Sequence, residues 1–433
     1  MNSRIVSPSG PLCATVTPPG SKSITNRALP LAALADGTSI LSGVLDSDDT
    51  RVMMDSLARL GVVCRHSPET ATVEVEGTSG ILRPADLFCG NSGTTLRFLT
   101  AICTLGKGPF RLDGIERMRQ RPAGDLIRGL SHLGADVRAE WDNDCPPICI
   151  HAHGLKGGVA EIPGNISSQF LSALLMAAPY AENDTVLEVV GELVSRPYVD
   201  MTLAVMKAFG VVAFAESANT FRIPARQKYH AQHYAIEPDA SAASYFFASA
   251  AVAGGEITVE NLSRNALQGD VGFCDCLAKM GCDVTYREHS ITVRRDPQTP
   301  LRGIDVGMRA VSDTAQTLSV VALFADSPTT IRDVANMRVK ETDRIHAVVC
   351  ELKKFGADVE EFPDGLRITP LKTYPESGVR VETWDDHRMA MSFAVAGLRI
   401  PGVEILNPEC TAKTYPRFWE DFARLRRTQP TDF

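Results

Sequence analysis

The chain has 433 residues, 44% of them hydrophobic and 22% charged, which is too much for one core and sets an expectation of about two domains. Its formal net charge of −8 offers no bulk field to nucleic acid or an anionic membrane, so any anion must be held by a local cluster. Apolar stretches such as Phe246–Ala253 are far too short to span a bilayer, and MNSRIVSPSG lacks the charged-then-apolar layout of a secretory leader; a cytoplasmic protein is expected.

Eleven cysteines are scattered without a C-x-x-C pair, which predicts reduced, mostly buried thiols. His151-x-His153 and His230-x-x-His233 have no carboxylate or Cys set beside them at ligand spacing, so no metal site is expected.

In chain order, Arg4–Pro18 reads as a hairpin with no helix before it. Gly20-Ser-Lys-Ser-Ile-Thr-Asn-Arg27 then opens a long apolar helix, with Lys22 and Ser23 at its entrance and Arg27 one turn on. Backbone N–H groups, a hydroxyl and a guanidinium at such a helix end suit a phosphate or carboxylate. Cys89-Gly-Asn-Ser-Gly-Thr-Thr-Leu-Arg97 makes a second entrance, where Gly90 and Gly93 let backbone approach a ligand. Neither G-x-x-x-x-G-K-[ST] nor G-x-G-x-x-G occurs there. Arg117, Arg119 and Arg121 crowd ahead of a helix expected to begin at Pro122, and need anions to offset their repulsion. Ser167-Ser168-Gln169 and Ser195-Arg196-Pro197-Tyr198 add neutral donors and another Arg.

The later helix entrances carry Asp239, Asp313 and Asp385-Asp386, each a good candidate for a capping carboxylate. Cations recur among them: Arg338, Lys340, Arg344, Arg388 and Lys413. Lys340 and Arg344 are spaced to share one helix face, with Glu341 beside them. One half thus offers donors for anions, and the other cations plus carboxylates able to move protons.

Lys22, Asn91, Ser167, Asp239, Asp313 and Asp386 follow one another at gaps of 69, 76, 72, 74 and 73 residues, so the chain reads as six copies of one unit. Each copy carries a second, amphipathic helix that stops at Leu60-Gly61, Leu133-Gly134, Phe209-Gly210, Met280-Gly281 or Phe355-Gly356. A strand, a turn and another strand follow; Asp364-Gly365 is one such turn signal. The unit is helix, strand, helix, strand, strand. The sixth copy ends with the Phe418–Leu425 helix and no hairpin, and the N-terminal hairpin repairs it. Residues 20–238 then form one domain and 1–19 plus 239–433 the other, with hinges at Pro18-Pro19-Gly20 and Glu237-Pro238-Asp239. A ligand is expected in a closing cleft between them.

From Gly20-Ser-Lys-Ser to Thr411-Ala-Lys413, these segments together closely resemble the 5-enolpyruvylshikimate-3-phosphate synthase family, with matching sites in all six copies. The resemblance implies two inside-out α/β domains of three repeats each, joined by two crossovers. It implies transfer of the enolpyruvyl group of phosphoenolpyruvate to the 5-hydroxyl of shikimate-3-phosphate, with release of phosphate and no metal or cofactor. Lys22, Ser23, Arg27, Ser167, Ser168, Gln169, Ser195, Tyr198, Asp313, Asn336 and Lys340 would hold shikimate-3-phosphate. Lys22, the Gly93 backbone, Arg121, Gln169, Arg344, Arg388 and Lys413 would clamp phosphoenolpyruvate. Asp313 resembles the proton acceptor, with Glu341 and Lys22 as partners in proton transfer at carbon. A monomer with small-molecule partners is expected.

Two other readings stand beside it. A UDP-N-acetylglucosamine enolpyruvyl transferase shares the Lys-Ser-x-x-Asn-Arg start, but usually carries a reactive Cys before its Arg-Pro, and Asp113–Pro122 has none. A phosphometabolite sensor would have lost its proton-transfer groups, yet Lys22, Asp313 and Glu341 stand at matching positions. Phe98 replaces the Pro that follows the loop Arg in many relatives, and Ser92 occupies the variable loop position. Gly93 rather than Ala resembles members sensitive to glyphosate, which implies competition between glyphosate and phosphoenolpyruvate.

Overall fold

The computed structural model describes residues 2–426. Six helices are buried along nearly their whole length: Lys22–Leu34, Gly93–Cys103, Ser168–Ala177, Ala240–Ala253, Ala315–Ala322 and His387–Ala396. Their sequences, such as ASAASYFFASAAVA, have no polar face to present to water. Ser21, Ser167, Asp239 and Asp386 cap four of them, each accepting a backbone N–H of the first turn at 2.9–3.3 Å. Such a cap is worth about 1 kcal/mol. Asp313 departs from the expected pattern. It lies in a short 3-10 turn, Arg309–Thr314, and Thr314 occupies the cap position of the helix that follows.

After each buried helix come a strand, an amphipathic helix and, in five copies, two further strands that pair antiparallel. In the first copy these are Thr38–Ser42, Asp48–Arg59, Val63–Ser67 and Thr72–Glu76. The glycines at the five predicted stops, Gly61, Gly134, Gly210, Gly281 and Gly356, all have φ between 85° and 102°. The Asp358–Phe362 and Gly365–Thr369 hairpin turns on Pro363-Asp364, one residue earlier than the sequence suggests.

The sheets hold one strand more than the repeat pattern foresees. A short strand precedes each buried helix and pairs parallel with the strand after it, as Asp86–Phe88 does with Gly108–Asp113 and Asp305–Gly307 with Thr329–Arg332. Apart from Gly158–Pro163 and Leu12–Val16, these strands have only two or three residues, too few to show an alternating pattern. At the two chain crossings these leading strands are exchanged. His233–Ala235 completes the sheet of Thr38–Ser42, and Leu12–Val16 completes that of Gly255–Glu260.

The N-terminal segment is therefore no hairpin. Its other strand, Ser3–Val6, pairs antiparallel with Val403–Leu406 and takes the place of the strands missing from the sixth copy. The chain divides into two compact units, Gly20–Glu237 and Met1–Pro19 with Pro238–Phe433. The first holds three buried helices and three four-stranded sheets; the second, among the described residues, three buried helices, two four-stranded sheets and one three-stranded sheet. Each is an α/β unit turned inside out, with helices in the core and sheets whose outer faces meet water.

All eleven cysteines are free thiols. Cys89, Cys103, Cys274, Cys276 and Cys282 are buried, five more are half-buried, and Cys13 is exposed, so fewer are fully enclosed than composition suggests. Among the described residues, no helix is long and apolar enough to cross a membrane, and no group of three or more His, Cys, Asp or Glu is arranged for a metal ion.

Candidate active site

In the unit Gly20–Glu237, Lys22 is the first residue of its helix, and its Nζ lies 3.5 Å from Asp49 Oδ2. Arg27, one turn on, is buried. Its Nε donates to Thr202 Oγ1 at 2.7 Å, Nη1 to Ser23 O at 2.9 Å, and Nη2 to Tyr198 O at 3.1 Å and Ser172 Oγ at 3.4 Å. The guanidinium also lies over the rings of Phe98 and Tyr198, at 5.1 and 5.8 Å. None of these hydrogen-bond partners is a carboxylate. Burial draws the Arg27 pKa down to about 10, so the group stays charged at neutral pH. A buried cation ringed by neutral oxygens leaves its charge to an incoming anion.

Gly93 is the first residue of the second helix, and Arg121 lies against it. A Cβ at Gly93 would stand 2.7 Å from Arg121 Nη2, so only glycine allows this approach. Arg121 Nη1 donates to Asn91 O at 3.3 Å. The neighbouring arginines point elsewhere. Arg119 grips Asp113 with bonds of 2.9 and 2.7 Å, so a carboxylate already offsets part of the expected repulsion. Arg117 donates to Gln120, and the following helix begins at Gly124 rather than Pro122.

Ser167 caps the third helix and Ser168 is its first residue. Gln169 accepts from Arg97 Nη1 at 2.7 Å, while Arg97 stacks over Phe170 at 5.1 Å. Ser195 adopts φ 53° and ψ 43°, a left-handed conformation that costs a non-glycine residue energy, and its carbonyl accepts the Tyr198 N–H. The structure thus joins Ser23, Arg27, Tyr198 and Ser195 through direct bonds.

In the other unit, Asp313 faces three cations. Its Oδ2 is 2.8 Å from Arg388 Nη2, and its Oδ1 is 3.3 Å from Arg344 Nη1 and 3.8 Å from Lys340 Nζ. Arg344 also pairs with Glu341 at 2.7 Å, and Lys413 lies 4.0 Å from Glu341. Burial would lower the Arg344 pKa, but Asp386, Glu341 and Asp313 outweigh it and raise it above the ordinary value. Arg388 further contacts Tyr245 Oη and Ser241 Oγ, each at 3.4 Å. Asn336 donates to Ser312 Oγ at 3.2 Å. Lys340 and Arg344 do not share a helix face as expected. The helix starts at Arg344 behind its Asp343 cap, and Lys340 is extended.

Four cations and three carboxylates therefore meet around Asp313, Glu341 and Asp386. Sequence reading singled out most of this set but missed Asp49, Arg97, Ser172, Thr202, Ser241 and Tyr245. Asp49 lies in the first turn of an amphipathic helix, where any carboxylate is favoured by the dipole, so nothing set it apart. Thr202 stands four residues after Tyr198 on a helix already recognised, which is the one signal that could have found it.

The family model described as "EPSP synthase (3-phosphoshikimate 1-carboxyvinyltransferase)" matches residues 6–422. A 3-phosphoshikimate 1-carboxyvinyltransferase of Nostoc punctiforme is 48% identical over 96% of this chain and 97% of its own length. The chloroplastic protein of that name from Arabidopsis thaliana is 46% identical over 94% of this chain and 82% of its own length. A solved EPSP synthase structure from Acinetobacter baumannii superposes with a TM-score of 0.81 at 26% identity, covering 98% of each chain.

Proposed function

The chain belongs to the EPSP synthase family, and from that premise we propose that it transfers the enolpyruvyl group of phosphoenolpyruvate to the 5-hydroxyl of shikimate-3-phosphate. The observation that carries the mechanism is Asp313. At a helix entrance where a cap would be ordinary, its carboxylate is held by Arg388, Arg344 and Lys340 instead. A carboxylate held by cations rather than spent as the helix cap is available for acid–base work.

In this reading Lys22, Ser23, Arg27, Ser167, Ser168, Gln169, Ser195 and Tyr198 bind shikimate-3-phosphate, with Asp313, Asn336 and Lys340. The buried charge of Arg27 supports a strongly anionic ligand. Phosphoenolpyruvate is taken by Lys22, the Gly93 backbone, Arg121, Gln169, Arg344, Arg388 and Lys413. Gly20–Glu237 serves as the shikimate-3-phosphate side, and the other unit as the proton-transfer and phosphoenolpyruvate side.

The reaction protonates the methylene carbon of phosphoenolpyruvate, which makes C2 cationic, while Asp313 accepts the 5-hydroxyl proton as that oxygen attacks C2. Loss of a methyl proton from the adduct then expels phosphate and restores the carbon–carbon double bond, now as an enol ether. Glu341 and Lys22 serve the proton transfers at carbon. The arginines and lysines hold the phosphates and stabilise the leaving charge, each contact contributing roughly 2–4 kcal/mol in the transition state. A cytoplasmic monomer without cofactor completes the reading.

The test is phosphate release from phosphoenolpyruvate with shikimate-3-phosphate, and in parallel with UDP-N-acetylglucosamine. Turnover with the first acceptor alone is expected. Turnover only with the nucleotide sugar, or with neither, would overturn the proposal.

A further inference from the structure

Glu351 lies outside the set of residues that sequence reading singled out. It sits two turns along the Arg344–Lys354 helix, fully buried, with its carboxylate committed on both oxygens. Oε2 accepts the Glu382 N–H at 3.0 Å and pairs with Lys354 Nζ at 2.8 Å. Oε1 accepts the Trp384 indole N–H at 2.9 Å. A buried carboxylate with three donors is costly to rearrange, so the segment it grips is held firmly.

That segment is an unusual one. Trp384 and Asp385 are consecutive non-glycine residues in the left-handed region, with φ of 55° and 53°. Each costs of order 1–3 kcal/mol and persists only where its surroundings hold it. Asn407 Nδ2, next to the turn that carries Lys413, donates to Asp385 Oδ1 at 3.3 Å. The next residue is Asp386, which binds Arg344 Nε at 2.6 Å and the Arg388 N–H at 2.9 Å. Arg344 and Glu351 belong to the same helix. A closed circuit results: helix, Glu351, strained turn, Asp386, Arg344, helix.

We propose that Glu351 is a positioning residue for the phosphoenolpyruvate clamp, holding the Glu382–Asp386 turn so that Asp386 fixes the directions of Arg344 and Arg388. It touches neither substrate. The inference rests on the reading of Arg344 and Arg388 given above, and its consequence is selective: one substrate's binding depends on Glu351 and the other's does not.

The experiment compares the wild-type enzyme with Glu351→Gln, which keeps size but puts an amide where three donors converge, and with Trp384→Phe, which removes only the indole donor. In Glu351→Gln the KM for phosphoenolpyruvate should rise roughly tenfold, the factor expected when a charge-assisted bond is lost, while that for shikimate-3-phosphate stays within about twofold. Trp384→Phe should shift the same constant in the same direction by less, and serves alone if Glu351→Gln does not fold. The double variant should be no worse than Glu351→Gln, because both changes break one circuit. Amide hydrogen exchange at Glu382 and Asp386 should quicken in both single variants. Unchanged kinetics, or equal loss of affinity for both substrates, overturns the inference. A wild-type enzyme inactive with these substrates would sink the reaction instead, and hydrogen exchange would then decide the role of Glu351.

Discussion

Arg344 and Asp386 form an ion pair, Nε to Oδ2 at 2.6 Å, at which the arginine side chain is 2% exposed and the aspartate 0%. Neither partner can turn to water if the other is lost. Replacing Arg344 by Ala would strand Asp386 and leave Glu341 and Asp313 with one cation fewer each. The expected cost is about 3–5 kcal/mol of folding stability, measured by urea unfolding, together with loss of turnover. A variant as stable as the wild type would mean that the carboxylates find other partners.

Asp313 should behave differently, because Thr314 and not Asp313 stands at the cap of the helix that follows. Asp313→Asn preserves shape and leaves the Ala315–Ala322 helix with its Thr314 start. Turnover is expected to fall roughly 10²–10⁴-fold, the range for removing a positioned acid–base group, with a normal circular dichroism spectrum. Activity within tenfold of the wild type would remove Asp313 from the proton path.

Gly93→Ala places a methyl 2.7 Å from Arg121 Nη2 and 3.0 Å from its Cζ. The guanidinium is the mobile end of a side chain, so it should yield, and the pocket should narrow. We expect glyphosate to compete with phosphoenolpyruvate in the wild type, and Gly93→Ala to raise the glyphosate inhibition constant more than the phosphoenolpyruvate KM. Steady-state inhibition at several phosphoenolpyruvate concentrations measures both. Equal weakening would contradict the shared pocket.

Phe98 is buried, and its ring lies under the Arg27 guanidinium at 5.1 Å. Phe98→Ala should cost about 3–5 kcal/mol of stability through the cavity it leaves. It should also raise the shikimate-3-phosphate KM, since Arg27 loses its platform. Calorimetric unfolding and the two KM values separate these effects; a change confined to the phosphoenolpyruvate KM would count against the placement of Arg27.

Acid should expose the Asp113 pair. Burial alone would raise this carboxyl, but Arg119, the Gly114 N–H and Arg111 outweigh it and hold it below 3.8. A folded-state pKa below the unfolded one means the unfolded chain takes up more protons in that window. Stability from this group is then present above pH 3.8 and lost as pH falls through the folded value. Asp113→Asn should melt below the wild type at pH 7, and the two curves should converge under more acid conditions.

Much of this architecture was legible because its signals were local. The six helix entrances recur at even spacing, and glycine marks five helix ends by the φ it must adopt. Pairing was less legible. Leu12–Val16 alternates like half of a hairpin, but its partner, Gly255–Glu260, lies far along the chain, and no turn residue records that choice. In the site, charged residues on helix entrances stood out by type and place. Thr202, Ser172 and Glu351 did not. Hydroxyls and carboxylates in helix middles look like ordinary surface residues until folding buries them against Arg27 or Trp384.

The strand Ser3–Val6 has a consequence for how the protein is made. A ribosome releases it long before its partner Val403–Leu406. Gly20–Glu237 is continuous and can assemble while the remaining chain is still being synthesised. The other unit cannot complete the sheet of Ser3–Val6 until Val403–Leu406 has been made, and Ser3–Val6 must wait unpaired through that interval. Pairing over such separation is slow and leaves strand edges open to other chains. This half should therefore set the pace of maturation, and a ribosome stalled before Val403 should release a chain with one finished unit and one aggregation-prone remnant.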